Sequence, residues 1–490
     1  MSVSRREFLR YASVLAAGTA AAQFLTPPVY AAESDPLLHV LNRLTWGPRP
    51  ADYAVIQTMG IEEYIDWQLD YANIPDPQVD EFLAARRILQ MPINDLNRAI
   101  EADYELVLSL ALWSRLYLAI HSERQLYERM VEFWTDHFNI PIPDYLGERM
   151  VDARDVIRPH ALGHFRELLL ASAQSPAMLY YLDNAVSSAE HPNENYAREL
   201  MELHTLGVDG GYTEVDVVEV ARVLTGWTVG NQSQFSFDEE KHDYDEKHVL
   251  GHTFPVGRGL EEGLQLFDML AAHPATARFI SSKLCRRFVS DTPPDSLIES
   301  TATLFRDTEG DLKAVMRHLL TSSEFVASAG QKFRRPLEFL VAALRVLQPG
   351  FQIDNPDTLL YTLEPMGHLP FFWHPPNGYP DVGIAWMNTN GLMHRWNTAL
   401  QLGLAGDGYF TGAALNLDAV IPPAATIGDL VQTTAEHLLM RPLPQDDVNE
   451  LVLLLVGSND LNYAVTDNLR QQQLPVLVGL ILASPHFQWS

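Results

Sequence analysis

Ser122-Glu-Arg-Gln-Leu-Tyr-Glu-Arg-Met-Val-Glu-Phe-Trp-Thr-Asp-His-Phe138 is the stretch that decides the fold. Leu126, Met130, Phe133, Trp134, His137 and Phe138 recur at i, i+4, i+7, i+8, i+11 and i+12, one apolar stripe of an α-helix. Ser122 and Gln125 are spaced as a capping box, which predicts a helix opening there and running to about Phe138. His137 lies on the apolar stripe. A core histidine bonded to a backbone carbonyl is the plain reading, and a ligand or general base in a closed pocket is the functional one.

The same period dominates the rest of the chain. Helices are predicted at Pro36–Arg43, Ala51–Asp70, Asp95–Ile120, Ala153–Ser172, Glu194–Leu206, Glu214–Leu224, Leu260–Ala272, Ala275–Val289, Leu312–Ser322 and Pro336–Leu347, with further ones after Ile427. Gln234 to Phe254 alternates apolar and polar residues and predicts one inserted β-hairpin. The stretch Phe371-Phe-Trp-His-Pro-Pro-Asn-Gly-Tyr-Pro380 reads as an ordered loop, because Phe and Trp suit a solvated tether poorly. The expected fold is therefore mainly α, a multi-helix, non-bundle globular fold with a small β-hairpin. It occupies residues 32–490, with a subdivision at 32–330 and 331–490 as an option.

Residues 1–31 carry an address. Arg5 and Arg6 precede Phe8 and Leu9, a short apolar run follows, and Val29-Tyr30-Ala31 offers a cleavage point. This predicts a signal peptide of the twin-arginine type, and so export to the periplasm or cell exterior with no membrane anchor left after cleavage. The most apolar later stretch, Leu106 to Ile120, is broken by Ser109, Ser114 and Arg115 and reads as a buried helix.

The net charge is −29, and a surface of that sign repels phosphate backbones, which argues against nucleic acid. Cys285 is the single cysteine. It excludes an internal disulfide and a four-cysteine iron–sulfur or zinc site, and its apolar neighbours at helical spacing mark it as a core residue. No nucleophile elbow, Walker loop or dinucleotide fingerprint is present.

Two further segments hold candidate chemistry. In Asn193-Glu-Asn-Tyr-Ala-Arg-Glu-Leu-Met-Glu-Leu-His-Thr-Leu-Gly207, Asn193 suits the N-cap. In a regular helix Asn195, Glu199 and Glu202 share a face, and His204 lies nearly opposite. Either the two carboxylates face solvent with Arg198 paired to Glu202, or the helix is buried all round and they line a polar cavity. In the second segment His242-Asp243 begins a polar turn, and a regular strand would point His248 and His252 to one face as a metal pair. The expected catalytic set is His137, Glu199, His242 and Asp243. The expected ligands of a divalent metal ion are His137, Glu199, Glu202 and His242.

With these segments in view, the chain resembles the DUF1800 family of exported bacterial proteins. The likeness rests on His39-Val-Leu-Asn-Arg-Leu-Thr-Trp-Gly-Pro48, Phe133-Trp-Thr-Asp-His-Phe138, His160-Ala-Leu-Gly-His-Phe165, the block from Asn193 to Tyr212, Leu224-Thr-Gly-Trp227, His242-Asp243 and Ser484-Pro-His-Phe-Gln488. The resemblance assigns no reaction and no catalytic residues. It implies an association with a second exported family, DUF1501, which is similar to sulfatases and phosphatases. Two expectations stand: a metal- or cofactor-dependent periplasmic enzyme, hydrolytic or oxidative, or a non-catalytic partner or assembly factor of the sulfatase-like protein. A third, a carbohydrate binder, would stack sugars on Trp373, Tyr379 and Trp386.

Overall fold

The computed structural model describes residues 35–490 except 232, 349, 354 and 406–412. The expected signal over residues 1–31 lies outside the described residues.

The expected fold class holds. Helices carry the chain, and the described strands form three two-stranded antiparallel sheets. No described helix is long and apolar enough to cross a membrane. Helix boundaries follow the sequence closely at Pro36–Leu44, Glu214–Val223, Leu260–Ala272, Pro274–Phe288 and Pro336–Val346. Asn193 caps its helix by accepting from the Asn195 amide, and Thr213 with Asp216 forms a capping box.

Several predicted helices are interrupted. The expected 51–70 helix breaks at Gly60, whose φ of +90° leaves helical space. The expected 95–120 helix breaks at Asp103, whose side chain caps the second piece, Tyr104–His121. The capping box at Ser122 does not form. Ser122 instead donates to Asp76 across 2.5 Å, and Gln125 turns away to accept from the Trp46 amide at 2.9 Å. The helix there spans Gln125–His137. The 153–172 run divides into a π-helix, Asp152–Ile157, and the helices Arg158–His160 and Phe165–Ala173. The 194–206 run is α only to Glu199 and π from Leu200 to Thr205.

The single hairpin expected at 234–254 is two. β1 (Trp227–Val229) pairs with β2 (Phe235–Phe237), and β3 (Lys247–Val249) pairs with β4 (His252–Phe254). A tight turn at Leu250 and Gly251, both at positive φ, separates His248 from His252. Val249 opposes His252 and His248 opposes Thr253, so the two histidines face opposite ways and are not a metal pair. A third sheet joins β5 (Phe351–Ile353) to β6 (Ala413–Leu415).

Two large cores organise the helices. One is built from residues between Val40 and Phe325 and includes Cys285. The other takes Leu112–Ile120 from the N-terminal half together with most of the apolar residues from Leu337 to Phe487. Fully buried Arg345 ties the parts together: its guanidinium donates to the carbonyls of Gly47 and Ile120 and to Asp52, each within 2.8 Å. Gly47 is required there, since a Cβ would lie 2.4 Å from the Cα of Ala342. Arg43 similarly donates to the carbonyls of Val289 and Ser328 and to the Ser490 hydroxyl, fastening the first helix to the C-terminus.

Candidate functional site

The Gln125–His137 helix is buried on nearly every side. Its apolar stripe enters the first core, and its other face carries Glu128, Glu132 and Asp136 at i, i+4 and i+8. Burying carboxylates without partners costs several kcal/mol each, so partners must arrive from other elements. Arg115 and Arg158 take Glu128. Arg287 and Arg335 both bind Glu132, and Arg335 reaches Asp136 at 2.9 Å. Glu338 accepts from Arg129 at 3.0 Å, and Asp381 pairs with Arg287 at 3.1 Å.

Around Glu132 this makes four carboxylates (Glu132, Asp136, Glu338 and Asp381) against three guanidiniums (Arg129, Arg287 and Arg335). Of these four carboxyls, Asp136 is the one shifted upward. Burial first, and then the Glu132 charge, push its carboxyl up to about 7 against the pull of Arg335 and Arg287.

Lys283 stands on the facing helix, one turn before Arg287. Its ammonium donates to His137 Nδ1 at 2.8 Å, and it lies 5.5 Å from the centre of the Phe279 ring. Burial lowers it to about 8, although the charges of Asp136 and Asp381 pull the other way. His137 Nε2 donates to the His204 carbonyl at 3.1 Å, which leaves Nδ1 as the acceptor for Lys283. Burial and the Lys283 charge hold His137 well below the ordinary histidine range. The π-helical turn presents that carbonyl and buries the His204 ring, whose Nε2 has no partner among the described residues. Gly207, at φ +81°, ends the turn and leaves room for Phe279, whose ring a Cβ there would meet at 2.8 Å.

The aromatic loop covers this centre. Asn139 donates to the carbonyls of Trp373 and Pro375, Tyr181 donates to that of His374, and Tyr379 donates to that of Leu369. Gly378, at φ +72°, lies so close that a Cβ would sit 2.0 Å from the Asp136 carbonyl oxygen. Tyr379 and Trp386 are buried in a cluster with Phe333 and Leu392, and Trp373 packs against it, so these rings form no open stacking platform.

The other expected residues fall into two groups, Glu199 with Glu202 and His242 with Asp243. Glu199 and Glu202 are half-buried. Burial, then the neighbouring Glu202 charge, raises Glu199 above the usual carboxylate range. Arg198 pairs with Glu194 and Glu214 instead of Glu202. His242 sits 3.1 Å from Glu262 in a fully buried trio with Lys247, which reaches the same carboxylate at 2.7 Å. Its Nδ1 also faces the Thr225 carbonyl at 2.7 Å. Burial would push Asp243 up, but bonds from Arg222 and the Asp245 amide hold it below the usual carboxylate range, and it clamps the turn. His137, Glu199, Glu202 and His242 therefore do not converge. Among the described residues no group of three or more His, Cys, Asp or Glu is placed to hold a metal ion.

The family model described as a protein of unknown function (DUF1800) matches residues 39–489. The chain belongs to this family. No curated protein and no solved structure matches it. The DUF1800 segments quoted above divide by role in this fold. Those at 39–48 and 484–488 supply fastenings such as Arg43, Gly47 and Gln488, while those at 133–138 and 193–212 supply Asp136, His137 and the His204 carbonyl.

Sequence reading found His137 but missed Asp136 and Lys283, along with Glu132, Arg287, Arg335 and Asp381. A signal was present. Acids at positions 128, 132 and 136 on a helix with so strong an apolar stripe need buried cations. Pairing Glu132 and Asp136 with arginines more than 140 residues away needed the fold.

Proposed function

We propose that the chain is an exported enzyme that uses Asp136 and Lys283 as a general acid–base pair, with His137 positioning the lysine. One arrangement carries this reading: Asp136 and Lys283 stand on facing helices of a buried centre, where burial raises the carboxyl to about 7 and lowers the amine to about 8, and the Asp136 charge acts on Lys283. Groups poised near neutrality transfer protons most effectively there. The pair favours hydrolysis over oxidation. Neutral Lys283 takes a proton from water as the oxygen adds to the substrate carbon, and protonated Asp136 gives its proton to the leaving group. Export by the twin-arginine route rests on Arg5 and Arg6, and loss of the exported form on changing both to lysine tests it.

The chain has five lysines, so competitive acylation read by mass spectrometry resolves each one. Lys283 is expected to react with a midpoint near pH 8, against about 10.4 for a model lysine. A midpoint at the model value, or no reaction when the other lysines label, overturns the proposal. Co-purification with a sulfatase-like DUF1501 protein would then favour the partner reading.

A further inference from the structure

A second feature lies against Val131 and Thr135 of the Gln125–His137 helix. A cavity of about 230 Å³ opens between that helix, the Tyr104–His121 helix and the turn from Leu146 through the π-helix Asp152–Ile157. Leu83, Leu118, Val131, Ile142, Met150 and Phe371 make its walls apolar, and exposed Gln90 stands at its rim. Four guanidiniums reach it. Arg115 and Arg158 are held by Glu128, and Arg154 by Asp155 and the carbonyls of Leu89 and Met91.

Arg149 differs from these three. It is 1% exposed, and its Nη1 binds Asp152. Its Nε and Nη2 are buried with no partner among the described residues. Phe371 covers the guanidinium face, its ring centre 5.0 Å away. Phe371 holds a φ of +66°, a conformation that bulky residues rarely adopt, while its carbonyl accepts from the Ile142 amide. Strain of this kind persists where the surroundings fix a side chain in place.

Nε and Nη2 form one edge of the guanidinium fork, the edge that receives a carboxylate through two parallel hydrogen bonds. Buried charged donors left without acceptors are rare and costly. The apolar walls call for an apolar body behind the acceptor. An engineered apolar cavity of about 150 Å³ holds benzene, so this one has room for a phenyl-alkyl or medium-length alkyl chain. The carboxylates of Glu128, Asp152 and Asp155 nearby disfavour a multiply charged head. We propose that this cavity binds a monocarboxylate with an apolar body, its carboxylate bidentate on Arg149. Arg149 lies within reach of the Asp136 charge, but neither Lys283 nor His137 lines the cavity.

Calorimetric titration and thermal melts of the full chain with octanoate, 3-phenylpropanoate, octanol and acetate test this. Octanoate and 3-phenylpropanoate are expected to saturate and to raise the melting temperature, and octanol and acetate to bind at least tenfold more weakly. Arg149→Met removes the fork, and Ala153→Leu fills the cavity while leaving Arg149 in place. Each is expected to weaken octanoate at least tenfold. Octanoate binding no tighter than octanol, or unchanged in Ala153→Leu, overturns the proposal even if Arg149→Met does not fold. Failure to saturate with any carboxylate would mean that water alone fills the cavity.

Discussion

Lys283 donates to His137 Nδ1 at 2.8 Å while His137 Nε2 donates to the His204 carbonyl, so the imidazole is fixed in one tautomer between two helices and a π-turn. A neutral ring with an assigned acceptor nitrogen can steer an amine without competing for its proton. Asp136, the residue before His137, supplies the opposing charge.

Asp136 raises the proton affinity of Lys283. In Asp136→Asn the lysine is expected to become neutral at lower pH, so its acylation midpoint moves below 8. Competitive labelling across pH 6–11 reads the shift, and a midpoint that stays or rises contradicts the coupling.

The two groups also set a stability profile. Asp136 is raised from 3.8 to about 7 on folding, so its contribution is full below pH 4 and is lost as pH rises through 7. Lys283 is lowered from 10.5 to about 8, so its contribution is full above pH 10.5 and is lost as pH falls through 8. Both are absent between pH 7 and 8. Urea unfolding at successive pH values should show Asp136→Asn removing the fall between pH 4 and 7, and an unchanged slope in that variant would contradict the assignment.

Arg335 binds both Glu132 and Asp136. Arg335→Met leaves two buried carboxylates with one fewer cation and is expected to cost about 3–5 kcal/mol. Denaturant midpoints measure it, and a loss under 1 kcal/mol would mean that water already solvates the network.

Gly378→Ala puts a methyl against the Asp136 carbonyl at a left-handed φ. Strain alone costs about 1–2 kcal/mol, and the contact adds to it. The loop is expected to lift, exposing Trp373 to a fluorescence quencher, and unchanged quenching would show that the backbone absorbs the methyl.

His242 is held in the Glu262–Lys247 trio. His242→Gln is expected to lower stability by about 2–3 kcal/mol while leaving the Lys283 midpoint in place. A shifted midpoint would link the two regions.

Helical periodicity and the Asn193 cap were legible in the sequence because each is a local property of a few residues. Pro274, Asn193 and Thr213 act within one turn of where they stand, and Glu214–Val223 follows from its own pattern. The breaks at Asp103 and Ser122, the π-turns and the division of one hairpin into two were not legible, because partners elsewhere in the chain or tight backbone turns outweigh local preference there. The candidate site shows the same limit. His137 was visible from its place on an apolar stripe, and Cys285 could be set aside from its neighbours. Which charges meet Glu132 and Asp136, and therefore which lysine is poised near neutrality, depends on helices brought together by burial of two cores, and pairing over 140 residues leaves no local mark in the chain.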